Sequence, residues 1–219
     1  WSFIKKAGTI ITLSTIVVWF LLNFGWTDAG FGMLNFDGLE GAAMEAAQAQ
    51  CILAKIGNLI SWIFTPLGWG DWKMTVAAIT GLVAKENVVG TFGQLFGFAE
   101  VAEDGQEIWG TLANSMSQVA AYSFLVFNLL CAPCFAAMGA IKREMNSRKW
   151  FWFAIGYECG FAYVIALIVN QLGNLFTGNV NVIGLIFAIA LIALIIYMLV
   201  RPYKESTKLE KDVKVGANA

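Results

Sequence analysis

Residues 129–144 read LLCAPCFAAMGAIKRE. The stretch is apolar enough to enter a membrane, holds two cysteines and a proline, and closes on a basic cluster. Pro133 has no N–H, so it removes a rung of the helix ladder and deprives the Leu129 carbonyl of its usual partner. If the helix continues, Cys131 and Cys134 share a face, because residues three apart do so. Two sulfurs and a carbonyl oxygen would suit Fe(II), Cu(I) or Zn(II). Transporters build binding sites from broken helices that carry polar groups at membrane depth. The stretch therefore points to passage of a soft or borderline cation. Two other readings stay open. Each cysteine could be a small buried hydrophobe, or the pair could be a redox CxxC, although no thioredoxin-like strand–helix context surrounds it.

Composition agrees with a bilayer setting. Of 219 residues 58% are hydrophobic and 13% charged, where a soluble domain carries roughly 25% charged. Nine tryptophans and five tyrosines suit membrane interfaces, where such rings collect. The net charge of −1 gives no basic surface for nucleic acid. The chain has no histidine, so the commonest general base and metal ligand is missing. GxxxxGK[ST] is also absent, so this chain has no P-loop. No covalent chemistry and no bound organic cofactor are expected of it. It begins at Trp1, and the expectation is a carboxy-terminal piece of something longer.

The expected fold is all-α, a polytopic membrane bundle with broken or re-entrant helices. Spanning needs about 20 mostly apolar residues. Runs 4–24, 150–172 and 182–200 meet this, and 119–141 has the length but is broken at Pro133. Ile52 to Leu67 reads as a short amphipathic or half-depth helix. Trp72 to Phe98 is interrupted by Gly81, Lys85, Glu86, Asn87, Gly90 and Gly93, and reads as a re-entrant hairpin or an unwound helix. Cytoplasmic loops favour Lys and Arg. Lys5 and Lys6 therefore put the start of the first helix inside. Lys142, Arg143, Arg148 and Lys149 do the same for their loop, and Arg201 and Lys204 for the tail. The loop 25–50 carries Asp28, Asp37, Glu40 and Glu45 without Lys or Arg and is placed outside. The expected organisation is a gate-type membrane domain over 1–173, with external loop 25–50 and re-entrant region 52–98. A final spanning helix over 174–203 and a disordered cytoplasmic tail over 204–219 complete it.

Lys85, Glu86 and Asn87 sit inside GLVAKENVVGTFG. A charge at a helix centre costs about 2.5–3.5 kcal/mol on insertion scales, and neighbours at i and i+1 do not face each other. Each charge therefore needs its own partner or a wet cavity. Glu86 is a candidate cation ligand and Lys85 a gate support; a purely structural ion network is the alternative. Glu158 lies inside GYECGFAY as a second carboxylate. The same segment has Gly156 and Gly160 at small-xxx-small spacing, which favours close helix packing. Cys51 is expected to be incidental.

These residues resemble the ferrous iron transport protein B family. KAGTII at Lys6 to Ile11, VVWFL at Val17 to Leu21, PLGWGDWK at Pro66 to Lys73, GLVAKENVVGTFG at Gly81 to Gly93 and CAPCFAAMGAIKRE at Cys131 to Glu144 carry the likeness. They run in the family's order from Phe3 to about Gly173. The resemblance implies the second of two inverted gate repeats of a bacterial inner-membrane Fe(II) importer. The GTPase and the first gate repeat would lie upstream in the same protein, and a second copy of the chain is a further partner left open. It also implies that Cys134 handles Fe(II), since it matches the family's gate cysteine. Cys131 is a thiol that many members lack, and 182–219 is less typical. The candidate metal residues are thus Cys131, Cys134 and Glu86, supported by Lys85, Asn87, Pro133 and Glu158. A membrane scaffold and a thiol redox or sensing module remain the alternatives.

Overall fold

The computed structural model describes residues 2–27, 30–36, 38–39, 41–83, 85, 87–98 and 105–202. The expected helices form. α1 covers Ser2–Asn23, and after the segment 25–50 come α3 (Ile52–Ser61), α4 (Trp72–Val83) and α5 (Asn87–Leu95). α6 (Trp109–Ser115), α7 (Gln118–Leu130) and α8 (Phe135–Met145) follow, then α9 (Arg148–Thr177) and α10 (Val182–Val200). By length and composition α9 and α10 can each cross a membrane. Most side chains of α10, among them Ile183, Ile186, Phe187 and Leu199, are exposed, as a lipid-facing helix requires. The assembly is an all-α membrane bundle. The tail beyond Pro202 and Glu86 lie outside the described residues.

The segment 25–50 is more ordered than a loop. β1 (Phe24–Thr27) pairs antiparallel with β2 (Gly30–Met33), and α2 (Gly41–Gln48) follows. Cys51 has a structural place. It is 1% exposed, its Sγ accepts from the Ala54 N–H at 3.2 Å to cap α3, and its backbone bridges to Gly25.

The core of the bundle is the antiparallel pair α7 and α9. Ser123 Oγ donates to the Ala166 carbonyl at 2.9 Å, and Ala120, Ala162 and Ala166 are buried between the helices. Small residues allow this approach, but they are not the glycines the spacing suggested. Gly156 and Gly160 are exposed, with open space where a Cβ would stand. The packing stripe of α9 is set one turn further along, through Ala162, Ala166 and Asn170.

The PLGWGDWK segment locks α3 and α4 onto this pair. Trp69 is 2% exposed. It stacks on Phe64 with centroids 4.5 Å apart and meets Phe124 edge-on at 5.2 Å; such pairs add about 0.5–1.5 kcal/mol each. Asp71 starts α4, its Oδ2 accepting from the Lys73 N–H at 3.0 Å. On the other side, Asn170 Nδ2 and Gln171 Nε2 both donate to the Pro66 carbonyl, at 3.1 and 2.9 Å. Gly68 closes the 3-10 turn with φ +89, and a Cβ there would strike the Asn170 amide. Gly68→Ala is therefore expected to destabilise the protein by about 1–3 kcal/mol, through left-handed backbone strain and loss of the clamp. A thermal-shift measurement in detergent checks this; an unchanged midpoint would contradict it.

Candidate functional site

α7 stops at Leu130 and α8 begins at Phe135, so Pro133 breaks the helix as expected. The break is longer than one lost rung. Cys131 and Cys134 have ψ of 162 and 157, and neither is helical. The shared helical face expected for the two thiols therefore does not exist. Cys131 is buried at 6% exposure. Its Sγ lies 3.5 Å from Cys159 Sγ, brought there because α9 runs antiparallel to α7. Cys134 is half-buried at the N-cap of α8 and its side chain makes no capping bond.

The carbonyls at the break are not free. Lys85, at the turn between α4 and α5, donates from Nζ to the Leu129 and Cys131 carbonyls, each at 3.3 Å. The expectation of a bare Leu129 oxygen beside two sulfurs is corrected in this respect: an ammonium already occupies it. An apolar helix end leaves carbonyls unmatched, and an intramembrane lysine needs acceptors. Each solves the other's problem. The hairpin that presents Lys85 is fastened by contact between the Thr80 and Thr91 hydroxyls, 3.2 Å apart.

Other candidates are placed as follows. Asn87 opens α5. Pro133 is half-buried within the break. Glu158 is half-buried on α9, and its Oε2 is buried with no hydrogen-bond partner. Among the described residues no three Cys, Asp or Glu side chains converge as a metal centre would require. Cys159 is the site residue that spacing could not find, since it stands 28 positions from Cys131. Mild oxidation with copper phenanthroline should join Cys131 to Cys159 in preference to Cys134. Peptide mapping checks the pairing, and a Cys131–Cys134 product would contradict the geometry.

Residues 39–148 match the family model described as "Gate: Nucleoside recognition". The chain belongs to the gate family, within the FeoB group of proteins. It is 37% identical over 175 residues to the Fe(2+) transporter FeoB of Methanocaldococcus jannaschii, covering 80% of this chain and 24% of that protein. To the Fe(2+) transporter FeoB of Campylobacter jejuni it is 34% identical over 167 residues, covering 76% and 26%. To that of Staphylococcus aureus strain COL it is 28% identical over 175 residues, covering 80% and 23%. The gate chain spans about a quarter of the length of these curated relatives. No solved structure matches it.

Proposed function

We propose that this gate chain is the membrane portion of a ferrous iron importer, and that Fe(II) passes at the break between α7 and α8. The observation that carries the reading is Lys85, a tethered cation held by two carbonyl oxygens of a broken helix. A group of acceptors that holds an ammonium can hold a metal cation when the ammonium withdraws. Cys134, Cys131 and Glu86 are the side chains proposed to take Fe(II) there, with Asn87, Pro133 and Glu158 shaping or supporting the site. The names of the relatives supply the choice of Fe(II); borderline thiolate and carboxylate ligands are compatible with it.

In this reading the segment is half of an inverted-repeat transporter in a bacterial inner membrane. The loop around Lys142 to Lys149 and the tail after Arg201 face the cytoplasm. A GTPase and a first gate repeat elsewhere in the same protein drive and complete the path, and this chain does no covalent chemistry of its own. The thiol-redox alternative has one observation in its favour, the contact between Cys131 and Cys159. Anaerobic uptake of Fe(II) into proteoliposomes carrying the full-length protein separates the two. Glu86→Gln keeps the size of the side chain but drops its charge, so it should lower uptake on the order of tenfold at normal abundance. Normal uptake in that variant would remove Glu86 from the path. Uptake that appears only on cycling between oxidant and reductant would favour the redox reading.

A further inference from the structure

We propose that a second site, a vestibule between α1, α2, α4 and α5 whose largely apolar wall carries a cluster of amide and hydroxyl groups, collects hydrated divalent cations on the outer side before they reach the break. A cavity of about 730 Å³ lies there. Its polar lining comes from Asn23, Gln48, Thr80, Thr91 and Gln94, and every one of these is neutral. Gln48 is 9% exposed. Its Nε2 donates to the Gln94 carbonyl at 2.7 Å, which fixes the amide so that Oε1 is left over. That oxygen is buried and has no partner. A buried acceptor without a donor costs about 1–3 kcal/mol, so it calls for a donor or a cation from the cavity.

Other polar groups add acceptors. Asn23 Nδ2 donates one N–H to the Trp19 carbonyl at 2.8 Å, and its amide carries an acceptor oxygen beside the second N–H. Thr80 and Thr91, 4% and 7% exposed, share a hydroxyl contact at 3.2 Å. Thr80 Oγ1 also lies 3.0 Å from the Ala77 carbonyl. Two hydroxyl protons serve these two contacts, and the oxygen lone pairs remain. The described lining thus includes acceptor oxygens, Gln48 Oε1 foremost, with no Lys or Arg among its residues. Neutral amide and hydroxyl oxygens suit a hard cation that keeps part of its water.

The surroundings fit an entrance. The last turn of α1 lines the cavity, and Lys5 and Lys6 lie near the start of α1, so the cavity lies at the end of α1 that the basic-residue rule puts outside. The sequence from Gly25 to Gln50 carries four acidic residues and no basic one. Such a charge balance raises the local concentration of cations. Thr80 and Thr91 belong to the same hairpin whose turn carries Lys85 to the break.

This inference rests on the transport reading above, and two readouts on the full-length protein keep them separable. The first is Mn(II) binding without nucleotide, followed by the loss of the free-ion EPR signal, with Mn(II) as an oxygen-seeking probe. The second is the KM for anaerobic Fe(II) uptake in proteoliposomes. Gln48→Leu and Asn23→Leu should each weaken Mn(II) binding about fivefold and raise KM by a similar factor with kcat little changed, the pattern of a lost entry contact. Gln48→Glu should tighten Mn(II) binding at least about fivefold, which guards against reading misfolding as lost binding. If the parent takes up Fe(II) while Mn(II) binding and KM are unchanged in all three variants, the vestibule is overturned and the transport reading stands. If Mn(II) binding responds as stated but the parent takes up no Fe(II), the vestibule stands and the transport reading fails. A parent that binds no Mn(II) outside its nucleotide site overturns the vestibule.

Discussion

Lys85→Met is expected to lower the abundance of the full-length transporter several-fold, while Lys85→Gln keeps abundance and lowers the KM for Fe(II). The methionine offers nothing to the Leu129 and Cys131 carbonyls that Lys85 holds at 3.3 Å each. Unmatched buried acceptors cost about 1–3 kcal/mol apiece. Lys85 is half-buried and Leu129 is exposed, so the lower end applies, about 2 kcal/mol for the pair. That is enough to change steady-state abundance several-fold. Glutamine retains two N–H donors and removes the charge. If the ammonium competes with Fe(II) for the break, its removal should lower KM at least about fivefold, since a unit charge a few ångströms from a cation is worth about 1 kcal/mol or more. Abundance by immunoblot and initial uptake rates check the two halves separately. An unchanged KM in Lys85→Gln would make the lysine a structural clamp alone.

The second large effect is expected at the thiols. Cys134→Ser should reduce Fe(II) uptake on the order of tenfold, and more than Cys131→Ser does. Serine keeps the size but is a far weaker ligand than thiolate. Cys134 is the more accessible of the two, half-buried with no capping bond. Cys131 is buried against Cys159, so its thiol already has company. The comparison needs anaerobic conditions and matched expression. Wild-type uptake from both single variants and from the double variant would assign the cysteines to packing.

Much of the fold was legible because its signals are local. The run 182–200 is apolar throughout and needs no partner to be helical at membrane depth; α10 occupies those residues. Pro133 acts on its own helix, and the break fell where a missing N–H puts it. The hairpin of β1 and β2 was missed because PheGlyTrpThr and GlyPheGlyMet are too short and too rich in glycine to show a clear period of two. Gly156 and Gly160 misled for a different reason. Their spacing permits close packing but does not say which face of α9 meets a neighbour, and Ala162 and Ala166 took that face.

The candidate site was half legible. A lysine in an apolar stretch announces that it needs acceptors, yet the sequence does not say which; the Leu129 and Cys131 carbonyls lie 44 and 46 positions away. The i, i+3 argument for Cys131 and Cys134 assumed a helix that the proline itself removes. Cys159 became a neighbour of Cys131 through the antiparallel packing of α7 and α9, a tertiary fact without a local signature. Gln48 carried no signal at all, because an orphaned amide oxygen is visible only once the Gln94 carbonyl has claimed its other end.

Passage of Fe(II) through the break can be tested most directly at Cys134. The measurement is the rate of maleimide alkylation of Cys134 in the full-length transporter, kept anaerobic, with and without saturating Fe(II), after Cys51, Cys131 and Cys159 are replaced by serine or alanine and uptake is confirmed. Fe(II) bound at the break should slow alkylation of Cys134 by about tenfold, and Mg(II), which prefers oxygen ligands, should not. Equal rates with and without Fe(II), in protein that still takes up Fe(II), would contradict passage at this site.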